Sequence, residues 1–162
     1  WLSGGRMPDR ALAVGSLLYN QRVASCKEDF DDAMLYMWFG NDLLGQVQVS
    51  RNHVSGYRVE SIIYGESGQI QIGRFVQNPH EIVVEAFGKR GRSELLARKV
   101  FPGGKGDAHA PEFFDRFAQA YKAEARAFIQ CCSSGTPFPT NHRDGLRAQR
   151  VISAGMSAVC GR

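Results

Sequence analysis

This sequence of 162 residues lacks the features of a membrane or secreted protein. Its longest uninterrupted apolar run covers residues 33–39, far short of the ~20 residues that cross a bilayer, so no transmembrane helix and no membrane partner are predicted. No basic stretch followed by an apolar one opens the chain, so no signal peptide is predicted. The chain begins at Trp1 rather than Met, and we expect either a processed start or a piece of a longer protein.

Cysteine and histidine are scarce and show no metal-binding pattern. The four cysteines form no C-x-x-C pair and no cysteine–histidine spacing of a zinc site: Cys26, Cys131, Cys132 and Cys160. No two of the four histidines lie three or four residues apart on a predicted helix. We therefore predict no metal site, and reduced thiols in a cytoplasmic protein.

Charge of one sign is not concentrated anywhere in the chain. There are 20 basic and 16 acidic residues, a formal net charge of +4. The one dense basic stretch, residues 89–92 (KRGR), lies in a predicted hairpin turn. Nucleic-acid binding needs basic residues gathered on one face, so no nucleic-acid partner is predicted. The length and composition are those of a single folded domain spanning residues 1–162.

Nucleotide-binding and hydrolase motifs are also missing. Residues 101–106 (FPGGKG) are rich in glycine, but Gly106 follows Lys105 where a phosphate-binding loop needs Ser or Thr. The G-x-G-x-x-G spacing, a G-x-S-x-G elbow and H-E-x-x-H are all absent. No cofactor-binding residue is therefore predicted in this chain.

Strand patterns fill the first two thirds of the chain. Residues 31–39 are apolar on both faces, which indicates a strand covered on both sides or one whose second face forms an interface. Residues 44–50 alternate apolar and polar, which is typical of a half-exposed strand. The remaining predicted strands cover residues 11–17, 58–64, 69–72, 81–87 and 93–101.

The last third changes to helical periodicity. An apolar stripe begins after Pro111, a good first helical residue. Residues 133–139 break the pattern, and a second helix is predicted from about Arg143. Strands followed by helices predict an α+β fold with an open, largely antiparallel sheet of about six to seven strands and helices packed on one face.

Polar side chains at the ends of these elements are candidates for binding a polyhydroxylated ligand. Asn52 and His53 follow a predicted strand, and Asn141 and His142 enter the second helix. Such groups supply hydrogen-bond donors and acceptors at the rim of a sheet. Asn141, or the preceding Thr140, alternatively caps the helix.

Two tyrosines also have alternative roles. Tyr121 lies on the apolar stripe of the first helix, where it either packs in the core or presents its hydroxyl to a cleft. Tyr57 directly precedes a predicted strand, where it either presents its hydroxyl to a cleft or caps a hairpin.

Five short motifs occur in a recognisable order: residues 46–51 (QVQVSR), 56–60 (GYRVE), 64–68 (YGESG), 114–121 (FDRFAQAY) and 144–148 (DGLRA). In order and spacing they resemble the C-terminal domain of the glucose–fructose oxidoreductase and inositol dehydrogenase family (Gfo/Idh/MocA). The resemblance covers nearly the whole chain, from Trp1-Leu2 to the final helix.

The resemblance implies a division of labour. In this family an N-terminal Rossmann domain binds NAD or NADP, and the C-terminal sheet closes the substrate cleft on one face and builds dimers or tetramers with the other. The family's catalytic Lys, Asp and His correspond to positions before Trp1. We therefore expect no catalytic residue in this chain, and NAD or NADP in the parent protein without any cofactor bound to this chain alone.

The resemblance also implies substrate-side positions. Tyr121 matches an Ala-Tyr and Tyr57 a Gly-Tyr that inositol-type members direct toward the polyol, and Arg116, Asn141 and His142 lie in matching neighbourhoods. Ser55 stands where the family often has a second tyrosine, so which polyol is bound stays open.

The sequence therefore predicts the substrate-binding and oligomerisation half of an NAD(P)-dependent sugar or polyol dehydrogenase, inositol-like and inactive alone. Its expected partners are a small sugar or polyol and further copies of itself, as a homodimer or homotetramer formed through the sheet. The alternative is a free-standing, non-catalytic binding or assembly module that dimerises through its sheet.

Overall fold

The computed structural model describes residues 2–17, 30–52, 58–73, 81–88, 94–103 and 112–160. In these ranges the chain forms seven strands and then two helices: β1 (Arg10–Ser16), β2 (Asp32–Phe39), β3 (Leu43–Ser50), β4 (Ser61–Tyr64), β5 (Gly68–Ile72), β6 (Ile82–Gly88), β7 (Glu94–Phe101), α1 (Glu112–Ser134) and α2 (His142–Cys160). The predicted α+β class is confirmed, and every described strand pair is antiparallel.

The strands form two hydrogen-bonded sheets where the sequence predicts one. The orders are β1-β2-β3 and β4-β5-β6-β7. Each strand pairs with its neighbour in sequence, as hairpin connections dictate. The connection from β3 to β4 runs over residues 51–60 instead of a tight turn, and no ladder joins these two strands within the described ranges. The chain accordingly divides into two compact units, Trp1–Asn52 with Phe138–Arg162, and His53–Pro137.

In the first unit, α2 packs against β1, at the side of the sheet of β1, β2 and β3 that Leu35 of β2 also faces. Gly155 of α2 is buried, and a Cβ added there would lie 3.2 Å from Leu35 Cδ1 and 3.9 Å from Ala13 Cβ. These residues of β1 and β2 belong to the covered face. Residues of the opposite face remain open, since Leu12 and Val14 are 52% and 50% exposed. One of the two apolar faces predicted for β2 is therefore covered by the chain's own helix.

In the second unit, Gly73 ends β5 in a conformation that requires glycine. Its φ is +76°, and an added Cβ would lie 2.2 Å from the carbonyl oxygen of Val59. Its N–H donates to the carbonyl of Val83, a residue of β6, at 2.9 Å. The left-handed conformation costs glycine nothing, so the chain can leave β5 here while its backbone groups stay paired.

Both helices lie where the sequence period predicts them. α1 begins one residue after Pro111, and α2 begins one residue before Arg143. Neither of these described helices combines the length and apolar character that a membrane-crossing helix requires.

Because α2 approaches the sheet closely at Gly155, a larger side chain at this position should lower the free energy of unfolding. Gly155→Val should lower the free energy of unfolding by about 1–3 kcal/mol, because the new side chain must displace Leu35. Gly145→Val, in the same helix with nothing within 4 Å of its added Cβ, is the matched control and should stay within about 0.5 kcal/mol of wild type. Urea unfolding measures both, and equal losses at the two positions would contradict this packing.

Candidate functional site

Five of the seven predicted site residues lie in the described part of the chain, and they divide between the two units. The first unit holds Asn52, Asn141 and His142, and the second holds Arg116 and Tyr121. His53 and Tyr57 lie outside the described residues.

Asn141 caps α2. Its side-chain oxygen accepts the N–H of Arg143 at 2.8 Å, and its own N–H donates to Asp144 Oδ2 at 3.0 Å. This reciprocal pair is a capping box, and Asp144 also places a negative charge at the positive end of the helix. The capping alternative of the sequence analysis is thus the interaction that the structure shows for Asn141. Its neighbour His142 is exposed as the first residue of α2.

Asn52 is exposed just beyond the end of β3. Its backbone N–H donates to Ser50 Oγ at 3.1 Å, which turns the chain away from the strand. The side chain of Asn52 therefore lies at the rim of the first sheet, as the sequence predicts.

A surface ion pair ties the N-terminal turn to the turn between β2 and β3. Arg6 Nη1 donates to Asp42 Oδ1 at 3.0 Å and Oδ2 at 3.1 Å, while its Nε donates to the carbonyl of Ser3 at 3.1 Å. These hydrogen bonds, with the charge of the partner, lower the pKa of Asp42 and raise the pKa of Arg6. The two residues are 36 positions apart, and no pattern in the sequence indicates the pair.

Arg116 anchors the start of α1 in the second unit. It is 3% exposed, and its Nη2 donates to the carbonyl of Gly73 at 3.5 Å. Its guanidinium also lies 5.7 Å from the ring centroid of Phe117, within the range of a cation–π contact. The structure therefore places Arg116 in the framework beneath the surface, and its contacts are those of a residue that positions α1.

Tyr121 is half-exposed, so it is not a core residue of the described structure. It is 46% exposed, and its ring centroid lies 6.5 Å from that of Phe114, itself 51% exposed, at an interplanar angle of 56°. The seven-residue spacing brings both rings to one face of α1. The helical period predicts an apolar stripe on α1, but it does not indicate that these two rings are exposed.

The described residues contain no cluster of metal ligands and no Rossmann-type arrangement of strands. Among them no group of three His, Cys, Asp or Glu side chains gathers as ligands, and Cys131 and Cys132 are free thiols. Cys26 and the side chain of Cys160 lie outside the description. A dinucleotide site of the Rossmann type needs parallel strands joined by a crossover helix, whereas the described strand pairs are all antiparallel.

Comparison with protein families gives one match over nearly the whole chain. The model of the Gfo/Idh/MocA oxidoreductase family, C-terminal alpha/beta domain, matches residues 5–161. The chain is 26% identical over 144 residues to a myo-inositol 2-dehydrogenase of Thermotoga maritima, covering 89% of this chain and 38% of the relative. It is 28% identical over 169 residues to the myo-inositol dehydrogenase Hyg17 of Streptomyces leeuwenhoekii, covering 99% of this chain and 43% of the relative.

A solved structure shows the same fold. The crystal structure of a myo-inositol dehydrogenase from Corynebacterium glutamicum superposes with a TM-score of 0.56 at 22% identity, covering 94% of this chain and 41% of that one. The chain thus spans about two fifths of the length of the relatives it matches.

The Arg6–Asp42 pair predicts a pH-dependent contribution to stability. A carboxyl whose pKa is lowered by folding stabilises the protein above its ordinary pKa and loses that contribution as the pH falls through the lowered value. Thermal melts of wild type and Asp42→Asn should therefore differ at neutral pH and converge in acid. Arg6→Met should show the same profile, and 1 M salt should shrink the difference. A difference in melting temperature that does not change with pH or salt would contradict a contribution of the Arg6–Asp42 ion pair to stability.

Because Arg116 is buried, its replacement should lower the stability of the protein. Arg116→Met should lower the free energy of unfolding by about 1–3 kcal/mol, because the carbonyl of Gly73 loses a buried charged donor. Arg126→Met, at an exposed position of the same helix, is the control and should change it by less than about 0.5 kcal/mol. Unchanged stability together with weakened ligand binding would instead favour direct contact between Arg116 and a substrate.

Proposed function

Since this chain belongs to the Gfo/Idh/MocA oxidoreductase family as its C-terminal alpha/beta domain, we propose that it is the substrate-binding and oligomerisation half of an NAD(P)-dependent dehydrogenase of cyclic polyols or sugars. The observation that carries the proposal is the family match over residues 5–161. Relatives named as myo-inositol dehydrogenases support the substrate class. Their greater length supports a separate dinucleotide-binding half in the whole protein.

The substrate role is supported by the exposed edge of α1. Small-molecule sites combine aromatic side chains with a few polar groups that set orientation, and Tyr121 beside Phe114 offers both kinds of surface. We propose Tyr57 and His53, which belong to the same unit as Tyr121, as further contacts of the polyol. Asn52 and His142 stay predictions of the sequence analysis. Arg116 and Asn141 contribute by fixing the first turns of α1 and α2.

In this proposal the described residues hold and orient the polyol ring. Nicotinamide, when bound by the other half, supplies the acceptor for a hydride. Holding the reacting carbon in a fixed pose removes much of the entropic cost of bringing two reactants together. Positioning of the substrate is therefore the contribution that this chain makes to catalysis.

The oligomerisation role is supported by the open face of the first sheet. Leu12, Val14 and Leu44 are 52%, 50% and 61% exposed. Strand register puts six apolar side chains on this face: Leu12, Val14, Met34, Tyr36, Trp38 and Leu44. Contiguous exposed apolar surface marks an interaction site, and we propose that a second copy of the chain covers it. The same face favours a second candidate function, a free-standing assembly module.

Ligand binding by the 162-residue chain tests the proposal. We expect saturation-transfer NMR to detect myo-inositol bound to the chain, and we expect no dehydrogenase activity. A ligand that binds only the folded state raises the melting temperature. Since we propose that this chain does not bind NAD, saturating NAD should leave its melting temperature unchanged. Adding the protein's dinucleotide-binding half should restore NAD-dependent oxidation of the polyol.

Two results would redirect the proposal. Stabilisation of the chain by NAD would mean that it holds a dinucleotide site after all. Dimers in sedimentation equilibrium, with no binding of myo-inositol or of any related polyol, would favour the assembly module.

A further inference from the structure

We propose that two copies of this chain pack the open faces of their first sheets against each other with antiparallel strands, so that Arg10 of each copy binds beside Asp32 of the other. The inference rests on the proposed self-association and deepens it, because it names the charged residues that set the orientation of the partner. A hollow at the Asp32 end of each sheet is thereby filled by a residue of the second copy.

The open face carries opposite charges at its two ends. Arg10 begins β1 and pairs in register with Trp38, whereas Asp32 begins β2 and pairs with Ser16. Trp38 and Asp32 lie on the same strand, about 20 Å apart at ~3.4 Å per residue. An arginine side chain cannot span this length, and among the described residues neither Arg10 nor Asp32 has a salt-bridge partner. Arg10 is exposed and Asp32 is partly exposed, so each charge is available to a second copy.

A hollow of about 260 Å³ adjoins Asp32. Strand register places five of its lining residues on the open face: Val14, Ser16, Asp32, Met34 and Gln48. Two of these side chains are apolar, and the other three offer carboxylate, hydroxyl and amide oxygens as hydrogen-bond acceptors. An arginine side chain has matching parts, an apolar stem and a guanidinium with five N–H donors. The hollow therefore suits an arginine of a second copy better than a wholly apolar side chain.

Arg10 is already restrained within one copy. Its Cζ lies 5.1 Å from the ring centroid of Trp38, within the range of a cation–π contact. This contact limits the rotamers of the long side chain, so part of the entropy cost of ordering it is met before the second copy arrives. The indole N–H of Trp38 is a further donor at the same end of the face. Arg10 and Trp38 thus form a donor group that a carboxylate of the second copy can bind.

Symmetry distinguishes two ways of stacking this face on itself. Packed sheets keep their strands within about 30° of each other, and a homodimer with a two-fold axis joins the same patch on both copies. With parallel strands, Arg10 would face Arg10 of the other copy, and Asp32 would face Asp32. With antiparallel strands, the end that carries Arg10 and Trp38 faces the end that carries Ser16 and Asp32. Opposite charges then meet at both ends, and charge complementarity selects this orientation.

Neutral substitutions at the two charges test the proposal. Sedimentation equilibrium of the 162-residue chain gives the dimer dissociation constant of wild type, Arg10→Gln and Asp32→Asn. We expect each variant to raise that constant about tenfold, because every dimer holds the Arg10–Asp32 pair twice. The double variant should be little weaker than either single one, since both substitutions remove the same pair. Arg150→Gln, at an exposed position of α2, is the matched control and should stay within about twofold.

Exchanging the charges gives a second, independent test. Arg10→Glu and Asp32→Arg should each weaken dimers further, because like charges then face each other at both ends of the interface. An equimolar mixture of these two variants should form heterodimers with about the wild-type dissociation constant, since each heterodimer has an opposite pair at either end. Melting curves recorded well below the dissociation constant report any loss of fold in the monomer, separately from the loss of dimers.

The outcomes separate this inference from the proposed self-association. Dimers whose dissociation constant is unchanged by Arg10→Gln and Asp32→Asn would overturn the inference and leave the oligomerisation role standing. Tighter dimers from either neutral variant would also overturn it, because they would indicate the parallel orientation, in which like charges face each other. A wild-type chain that stays monomeric up to millimolar concentration would overturn the oligomerisation role and the inference with it.

Discussion

A buried guanidinium connects the start of α1 to the residue that follows β5. A charge removed from water must be compensated by polar partners and favourable contacts, and Arg116 finds these in the carbonyl of Gly73 and the ring of Phe117. That carbonyl is available because Gly73 leaves β5 with a left-handed conformation that other residues avoid. Arg116 thereby links α1 to the end of β5, while Phe114 and Tyr121 on the same helix are exposed.

A different constraint organises the first unit. β2 is apolar on both faces, and one chain can cover only one of them with α2. Gly155 allows the helix to approach Leu35 and Ala13 closely. The face that carries Leu12 and Val14 stays open, and this is the surface that we propose for self-association. The capping box at Asn141 serves the same packing, because it fixes the residue at which α2 begins.

Family membership and the described architecture agree on the kind of domain. The chain matches the C-terminal alpha/beta domain of its family, and its described strands pair only as antiparallel neighbours, unlike the parallel strands of a Rossmann domain. The chain spans about two fifths of the length of its relatives, which are named as myo-inositol dehydrogenases. Substrate positioning by this chain, with the redox chemistry in another half of the whole protein, remains our proposal.

Local patterns in the sequence are sufficient to predict the strands, the helices and the class of the fold. Alternation and helical periodicity predict the hairpins and both helices, because hydrophobic period and turn residues act over a few neighbouring positions. The sequence also predicts the helix cap at Asn141 as one alternative, because both hydrogen-bond partners of Asn141 lie within three residues of it. Only the tertiary structure decided how the strands divide into two sheets, why Arg116 is buried, and which rings of α1 are exposed. Arg116 meets Gly73 across 43 positions, and Arg6 meets Asp42 across 36. Contacts between residues so far apart in sequence depend on how the strands and helices pack in space, and the hydrophobic periodicity of neighbouring residues does not indicate them.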